Sequence, residues 1–351
     1  MSAARLPLDR IATDDHLASK LESRGCRTAA DALQRSPLDL VELADVSLER
    51  ARGFLLSVAR AVAPASVSAH ELLRRSRSVR TSIAALDDAL GGGLRAGAVT
   101  EVVGPAGAGK TQACLAACAT CAAPYDVGGC DGGVIYVDAE RKFSGERLVE
   151  IARLKFPRAF GEEAATRALA RRVQVIAPTS LSDLATRLEA MEEAIVDHGV
   201  RLIIIDSVAH LARGEFGRER VVQRQSALGA VASTLKRHAE KHELAVLAVN
   251  QVTTRIGSAA KHATDEATTE EGAIGEESNG ITAALGTKWA HCVNTRIALE
   301  VVDDRRTMKI IKSPMAPLTA FEYVVDASGI KIISSSNANA SDANVHTTMR
   351  T

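Results

Sequence analysis

The sequence has few aromatic residues: six Phe, three Tyr and one Trp make up 3% of its 351 residues. Proteins that bind nucleic acid by stacking successive bases on aromatic side chains need more of them, so RNA-recognition and OB-type folds are disfavoured. The chain also has no net charge, because 43 Lys and Arg are balanced by 43 Asp and Glu. We therefore expect no chain-wide electrostatic attraction to DNA or to an anionic membrane.

Long apolar runs are missing as well. No segment approaches the ~18 apolar residues of a membrane span, and the N-terminal residues carry acids but no apolar block of signal-peptide length. We expect neither secretion nor a membrane partner. Six Cys, three of them within eight residues, do not form the pattern of a secreted disulfide framework. This cysteine usage indicates a reducing compartment.

The residue pattern divides the chain into four segments. Residues 1–62 have apolar residues at three- and four-residue spacing, from Leu33 to Val62, and predict a small helical domain. Residues 63–81 are rich in Ser and hold four Arg, which is typical of a linker with a basic cluster. Residues 82–333 form the main domain, and the Ser, Asn, Ala and Thr of residues 334–351 predict a disordered tail.

Apolar runs alternate with helical patterns in the main domain and predict its fold class, α/β. Continuous apolar strands separated by helices indicate a mostly parallel sheet covered on both faces. Near the C-terminus, runs separated by the turns DDRR and DASG predict antiparallel hairpins that complete the sheet. The predicted parallel strands are VTEVVG (99–104), GVIYVD (133–138), VQVI (173–176), RLIIID (201–206) and LAVLAVN (244–250).

A phosphate-binding motif, G-x-x-x-x-G-K-T, lies between the first of these strands and a helical run. Its glycines let backbone N–H groups turn towards phosphate oxygens, and the following helix N-terminus adds positive potential. We expect Lys110 to contact the β- and γ-phosphates and Thr111 to ligate Mg²⁺. The predicted nucleotide-contacting residues are Gly104, Pro105, Ala106, Gly107, Ala108, Gly109, Lys110, Thr111 and Gln112.

Two acids follow predicted strands at their carboxyl ends, where open α/β sheets bind ligands. Asp206 closes one apolar strand, and we assign it to the Mg²⁺ shell. The alternative is a helix N-cap. Glu140 follows another strand, and we assign it as the base that orients the attacking water; the alternative is a solvated side chain.

The order of the phosphate-binding loop, Glu140, Asp206-Ser207 and then Asn250-Gln251 resembles the RecA-type strand-exchange recombinases. The small helical domain makes the chain similar to the eukaryotic and archaeal branch, whose helix-hairpin-helix module it resembles. Four blocks are similar to the B-type paralogues of the eukaryotic recombinase, and the resemblance spans roughly residues 8–333. They are FSGERLVEIA (143–152), IIIDSVAHLARGEF (203–216), ALGTKWAHCVNTR (284–296) and KSPMAP (312–317).

This resemblance implies a RecA-like ATPase that uses ATP and Mg²⁺ in the nucleus, in double-strand break repair by homologous recombination. It implies a protein that joins other recombinase paralogues, binds single-stranded DNA and assists recombinase filament assembly. It also implies roles for three residues. Gln251 resembles the γ-phosphate sensor that links nucleotide state to the DNA loops, Arg147 resembles the residue that packs on the adenine, and Pro314 lies in the segment that resembles the ATP cap over a neighbour's nucleotide.

The chain departs from the family pattern at two places. Lys312 stands where an Asp is usual, and we hypothesise that its ammonium replaces a bound monovalent cation. The linker position where self-polymerising relatives place Phe, followed by Ala three residues later, has Ser66 and Ala69, so the aromatic anchor is missing. A different paralogue is therefore favoured as the partner over a homofilament.

Two segments correspond to the DNA loops of the family. The first has four basic residues against two acids, which suits phosphate contacts; its alternative is a solvated helix start. The second, residues 255–285, has two basic residues against six acids, so it repels phosphate and predicts a partner-contacting or gating segment. The predicted DNA-binding residues are Arg213, Arg218, Arg220 and Arg224.

Three alternatives remain open. Cys114, Cys118 and Cys121 have the spacing of iron–sulfur ligands, but they fall within the predicted helix after the phosphate-binding loop, where they form one apolar face. The chain could also act as a non-hydrolysing, nucleotide-dependent assembly module of a paralogue complex. The third alternative is a RecA-fold ring ATPase.

Overall fold

The computed structural model describes residues 6–11, 13–216, 220–251, 285 and 287–337. The chain divides into two compact units, residues 1–75 and 76–351. The boundary falls inside the segment that we assigned to the linker, which contains a helix and a short strand. Among the residues described, no helix has the length and apolar character needed to cross a bilayer.

The first unit is helical, and its helices begin where the sequence supplies caps. Thr28 with Asp31 and Ser36 with Asp39 form reciprocal capping boxes at the second and third helices. Leu17, Leu40 and Phe54 lie in its apolar core, whereas Leu33 and Leu38 are exposed. After a 3₁₀ turn at Leu8–Arg10 the helices are α1 Asp15–Ser23, α2 Ala29–Leu33, α3 Pro37–Ala44, α4 Leu48–Val62 and α5 Ala69–Arg75.

The second unit contains a nine-stranded sheet of order β11-β10-β9-β8-β3-β7-β6-β4-β5 and a separate pair, β1-β2. Its strands are β1 Ser78–Val79, β2 Leu94–Arg95, β3 Val99–Gly104, β4 Gly133–Asp138, β5 Val173–Ile176, β6 Val200–Asp206, β7 Ala245–Gln251, β8 Thr295–Val302, β9 Arg305–Lys312, β10 Thr319–Asp326 and β11 Gly329–Asn337. Residues of β3, β4 and β6 are almost all buried, because the sheet is covered on both faces.

Helices cover this sheet on two sides, and each side has its own apolar core. The helices are α6 Ala84–Ala89, α7 Lys110–Ala122, α8 Gly145–Lys155, α9 Pro157–Phe160, α10 Glu163–Arg171, α11 Leu181–Ala190, α12 Glu192–Asp197, α13 Val208–Glu215, α14 Val221–His242 and α15 Thr287–Cys292. The α7 side chains join the core that includes Tyr136 and Tyr323, and α11, α13 and α14 join the core around Trp289.

The α/β fold class, with a mostly parallel sheet and C-terminal antiparallel hairpins, is confirmed. The strands β5, β4, β6, β7, β3 and β8 are parallel, and β8 to β11 form an antiparallel meander. The β8 strand, which we assigned to the hairpins, therefore pairs in parallel with β3 on its other side. The last strand ends at Asn337, inside the segment that we assigned to the tail.

Candidate nucleotide site

The phosphate-binding loop joins β3 to α7 through backbone conformations that favour glycine. Gly107 and Gly109 have φ angles of +76° and +99°, in the left-handed region. Gly109 is the N-cap of α7 and supplies no side-chain cap, so the first N–H groups of this 13-residue helix have no side-chain acceptor there. Such a helix start attracts anions.

Lys110, the first residue of α7, has a buried side chain beneath the loop. Its Nζ donates to the carbonyl oxygens of Gly104 at 2.8 Å and Pro105 at 2.6 Å. Burial lowers the pKa of Lys110 from its usual value, while the nearby carboxylates of Asp206 and Glu140 act in the opposite sense. The loop thus holds a cationic side chain next to two acids.

Thr111 and Asp206 supply a set of oxygen donors between α7 and β6. The Thr111 hydroxyl donates to Asp206 Oδ2 at 2.7 Å, and the Tyr136 hydroxyl donates to the same oxygen at 2.9 Å. Because the Thr111 hydrogen points to the carboxylate, the oxygen lone pairs remain available to a cation. Hydroxyl and carboxylate oxygens suit Mg²⁺, so this donor set fits the metal that the sequence predicts. Burial raises the pKa of Asp206 despite both hydrogen bonds.

Glu140 is presented by a turn that Asp138 fixes. The Asp138 carboxylate accepts from the backbone N–H groups of Lys142 and Phe143, each at 2.9 Å. Glu140 Oε1 then accepts from Ser207 Oγ and Gln251 Nε2, both at 2.7 Å, and Oε2 pairs with Lys142 Nζ at 2.6 Å. Burial raises the pKa of Glu140, but the hydrogen bonds from Lys142 and Ser207 outweigh it, so the pKa lies below its usual value and the group is ionised.

Gln251 connects this carboxylate to the first predicted DNA loop. Its Oε1 accepts a hydrogen bond from Arg213 Nη2 at 2.7 Å, while its amide nitrogen donates to Glu140. Arg213 lies near the end of α13 and is exposed. The structure therefore joins Glu140, Gln251 and Arg213 in one continuous set of side-chain contacts.

The other predicted DNA-binding residues are less fully placed. Arg220 is exposed immediately before α14, and Arg224 is half-buried in the first turn of that helix. Arg218 lies outside the described residues, as do residues 255–284 of the second predicted loop. The acidic segment's predicted role stays a prediction.

Arg147, at the start of α8, is held by neighbouring elements. Its guanidinium donates to Gln112 Oε1 at 2.8 and 3.0 Å and to the carbonyl oxygens of Asp326 and Ala327 at 2.9 and 2.8 Å. It also pairs with Glu150 at 2.6 Å. Arg147 thereby ties α8 to α7 and to the β10–β11 turn, and its predicted adenine contact stays a prediction.

Pro314 is exposed in the connection between β9 and β10, and its predicted place in an ATP cap stays a prediction. The preceding Lys312 donates through Nζ to the carbonyl oxygens of Ala290 at 2.8 Å and Val293 at 2.7 Å. Ala290 lies in the last turn of α15, and Val293 directly follows that helix. The ammonium that we hypothesised as a cation substitute is thus bound within its own chain.

Sequence reasoning missed two side chains that contact the phosphate-binding loop from the C-terminal meander. Arg306 on β9 donates to the carbonyl oxygen of Gly107 at 2.7 Å. The buried hydroxyl of Tyr323 on β10 donates to that of Ala108 at 2.5 Å. Nothing in the local sequence signals these contacts, because they depend on the meander lying beside β3.

Sequence reasoning also missed a buried ionic network behind the site. Glu101, in the middle of β3, is fully buried and accepts from Asn250 Nδ2 at 2.9 Å and Trp289 Nε1 at 2.8 Å. Its second oxygen pairs with Arg296 Nε at 2.6 Å. A signal was available, since an acid within the apolar run VTEVVG needs a buried partner. Asn250 directly precedes Gln251, so this network anchors the end of β7.

The three cysteines of α7 are fully buried. Within the described part of the chain, no cluster of three or more His, Cys, Asp or Glu side chains could hold a metal ion. The iron–sulfur alternative gains no support from this arrangement.

A glycine-containing loop between a parallel strand and a helix, with acids at the ends of neighbouring strands, defines a P-loop nucleotide-binding protein with the RecA-like fold. The model of the Rad51 family matches residues 74–333, and the chain belongs to this family. The resemblance drawn from the sequence motifs is therefore confirmed.

Individual relatives are similar to this chain over most of its length. "DNA repair protein RAD51 homolog 2" of Homo sapiens is 36% identical over 339 residues, which cover 92% of this chain and 88% of that protein. The protein of the same name from Arabidopsis thaliana is 32% identical over 335 residues, 93% of this chain and 90% of that protein. "DNA repair and recombination protein RadA" of Cenarchaeum symbiosum is 35% identical over 244 residues, 66% of this chain and 59% of that protein.

Proposed function

We propose that this chain is an ATP-dependent DNA repair protein of homologous recombination, which binds and hydrolyses ATP and joins other recombinase paralogues. In this proposal it binds single-stranded DNA next to Arg213 and assists recombinase filament assembly. Membership of the Rad51 family supports the role in repair and recombination. The names of its relatives, DNA repair proteins and RadA, point the same way.

The observation that carries the proposal is the contact series from Glu140 through Gln251 to Arg213. Glu140 is where water would be oriented, and Arg213 opens the predicted DNA loop. Gln251 hydrogen-bonds to both residues, so a movement of its side chain would change a hydrogen bond of Glu140 and one of Arg213 together. This arrangement supports coupling between nucleotide state and DNA contact.

The site residues suit phosphoryl transfer in the following way. Lys110 and the start of α7 provide positive potential for phosphate oxygens. Thr111 and Asp206 would hold Mg²⁺, which when bound neutralises charge on the transferred phosphoryl group. Glu140, kept ionised by Lys142 and Ser207, accepts a hydrogen bond from water and orients it.

Phosphate release by the full chain tests hydrolysis, measured alone, with single-stranded DNA and with co-expressed paralogues. We expect release that rises with DNA and partners and is lost in Glu140→Gln. Glu146→Gln is the matched control, because Glu146 is an exposed acid on the adjacent helix. Equal release from the Glu140→Gln and wild-type chains would exclude the assigned role of Glu140.

The second candidate, a non-hydrolysing assembly module, is favoured by one observation. Glu140 already accepts from three donors, Ser207, Gln251 and Lys142, which leaves only about one of the four lone-pair sites of its carboxylate for a water. In that case ATP would promote association with paralogues without phosphate release, and Glu140→Gln would assemble like the wild type. Native mass spectrometry also tests the ring ATPase, which requires six copies.

The proposed site of action is the nucleus. Imaging of the tagged full chain in eukaryotic cells tests this location, and we expect nuclear signal that becomes focal after double-strand breaks. Exclusion of the chain from nuclei under both conditions would contradict the proposed role.

A further inference from the structure

Two cysteines outside the nucleotide site lie against each other. Cys121, in the last turn of α7, accepts a backbone hydrogen bond from the N–H of Cys130 at 3.3 Å. This main-chain contact brings the two residues close together, and a disulfide needs Cα atoms no more than ~7 Å apart. The Cys121 thiol donates to the carbonyl oxygen of Gly133 and the Cys130 thiol to that of Ser78, each at 3.9 Å. Both residues are free thiols in this structure.

The two thiols differ in access. Cys121 is fully buried, whereas Cys130 is half-buried and lines a cavity of about 370 Å³. Arg77 and Arg201 line the same cavity, together with one acid, Glu243. Small polar solutes therefore have a route to Cys130 but none through the core to Cys121.

The electrostatic surroundings separate the thiols further. The adjacent Cys121 side chain, aided by the guanidinium groups of Arg201 and Arg80, lowers the pKa of Cys130 despite its burial. The adjacent Cys130 side chain and burial raise the pKa of Cys121 well above its usual value. Thiolate character and access are the properties that select a cysteine for oxidation, and a neighbouring thiol then resolves the product.

We propose that Cys130 and Cys121 form a reversible oxidation site for hydroperoxides, with Cys130 as the reacting thiol and Cys121 as the resolving thiol. The Cys130 thiolate attacks one peroxide oxygen, so that an S–O bond forms, the O–O bond breaks and hydroxide leaves; Cys130 is oxidised to the sulfenic acid. The Cys121 sulfur then attacks the Cys130 sulfur. An S–S bond forms, the S–O bond breaks, and water leaves with the Cys121 proton. A dithiol reductant restores both thiols.

The disulfide would close a loop of residues 121–130, which contains the 3₁₀ turn Tyr125–Val127. It would fix the last turn of α7 to the segment that leads into β4. Cys130 Sγ, now 3.9 Å from the carbonyl oxygen of Ser78, would lose the S–H that it donates there. The site lies at the opposite end of α7 from Lys110 and does not depend on the proposed ATP chemistry.

Peptide mapping of the full-length protein after graded hydrogen peroxide tests the proposal. Trypsin leaves both cysteines in one peptide, residues 111–141, because no Lys or Arg lies between them. Additional cleavage before Asp126 and Asp131 yields residues 111–125 and 126–130. We expect these two peptides to become linked, with fragmentation locating the bond at Cys121, and to separate again on reduction.

Cys292 is the matched control, because it is also a half-buried free thiol. We expect Cys130 to react about tenfold faster than Cys292, and Arg201→Gln to slow Cys130 alone. In Cys121→Ser, a sulfenic-acid probe should label Cys130 and no disulfide should form. If Cys121→Ser does not fold, the wild-type map still decides: peptides that stay unlinked while Cys292 oxidises overturn the proposal.

Discussion

Replacing Glu101 by Gln should destabilise the second unit by about 3 to 5 kcal/mol, because it leaves Arg296 buried without its counter-charge. Glu101 is fully buried and the Arg296 side chain is only 15% exposed. The amide of Gln keeps the length of the side chain and can still accept from Asn250 or Trp289. What it removes is the negative charge, so the change isolates the ionic part of the network.

A half-exposed ion pair between two neighbouring strands provides the control for the buried pair. Glu300 on β8 pairs with Lys309 on β9 at 2.7 Å, and their side chains are 26% and 35% exposed. Because water screens this pair, Glu300→Gln should cost no more than ~1 kcal/mol. The difference between the two Glu→Gln substitutions measures the effect of burial on one and the same chemical change.

Urea unfolding followed by the fluorescence of Trp289 is the assay. This is the one Trp of the sequence, and it lies in the second unit, so the signal does not mix the two units. Arg296→Gln and the double substitution complete a cycle, in which the double variant should lose less than the sum of the single losses. A Glu101→Gln variant that unfolds within 1 kcal/mol of Glu300→Gln would refute the reasoning.

Three further predictions concern other contacts. Gln251→Ala should abolish the stimulation of phosphate release by single-stranded DNA while nucleotide binding persists. Burial lowers the pKa of His238 from its usual value of 6.5, so the unfolded chain binds more protons than the folded chain in mild acid. The free energy of unfolding should therefore fall as the pH drops from about 7.5 to 5. His238→Gln should flatten this dependence, and His198→Gln should not. Tyr323→Phe leaves the buried carbonyl of Ala108 without its donor and should cost about 1 to 3 kcal/mol.

Each of these has a contrary outcome. DNA stimulation that survives in Gln251→Ala would separate Arg213 from the nucleotide site. Equal slopes of stability against pH in the two His variants would show that His238 does not carry the acid sensitivity. An unfolding midpoint unchanged in Tyr323→Phe would mean that water or another donor satisfies the Ala108 carbonyl.

The sequence was most informative where the signal is local. The runs 99–104 and 133–138 match β3 and β4 residue for residue, because strands buried on both faces are continuously apolar. The phosphate-binding loop was recognisable since its glycines and Lys110 are consecutive. By contrast, Arg306 and Tyr323 reach that loop from about 200 residues away, and only the order of the strands brings them there.

Helix α5 could not be predicted for a different reason: it is a local structure whose sequence has no apolar periodicity. It has no buried residue, so no periodic apolar pattern marks it, and we assigned its residues to the linker. Its stabilising contacts are polar: Ser68 Oγ accepts from the N–H of Glu71, and Glu71 pairs with Arg75 one turn later. Leu33 and Leu38 are the reverse case, because they fit the apolar spacing and yet are exposed to solvent.

The pairing of Glu101 with Arg296 also affects the register in which two strands of the sheet align. The two residues are directly opposite each other in the parallel register of β3 and β8. A slip of one residue would turn Arg296 to the other face of the sheet and leave both charges unpaired in the interior. Apolar neighbours such as Val102 and Ile297 tolerate many alignments. The ion pair forms in one alignment only, so it specifies the register of β3 and β8, where the parallel sheet meets the C-terminal meander.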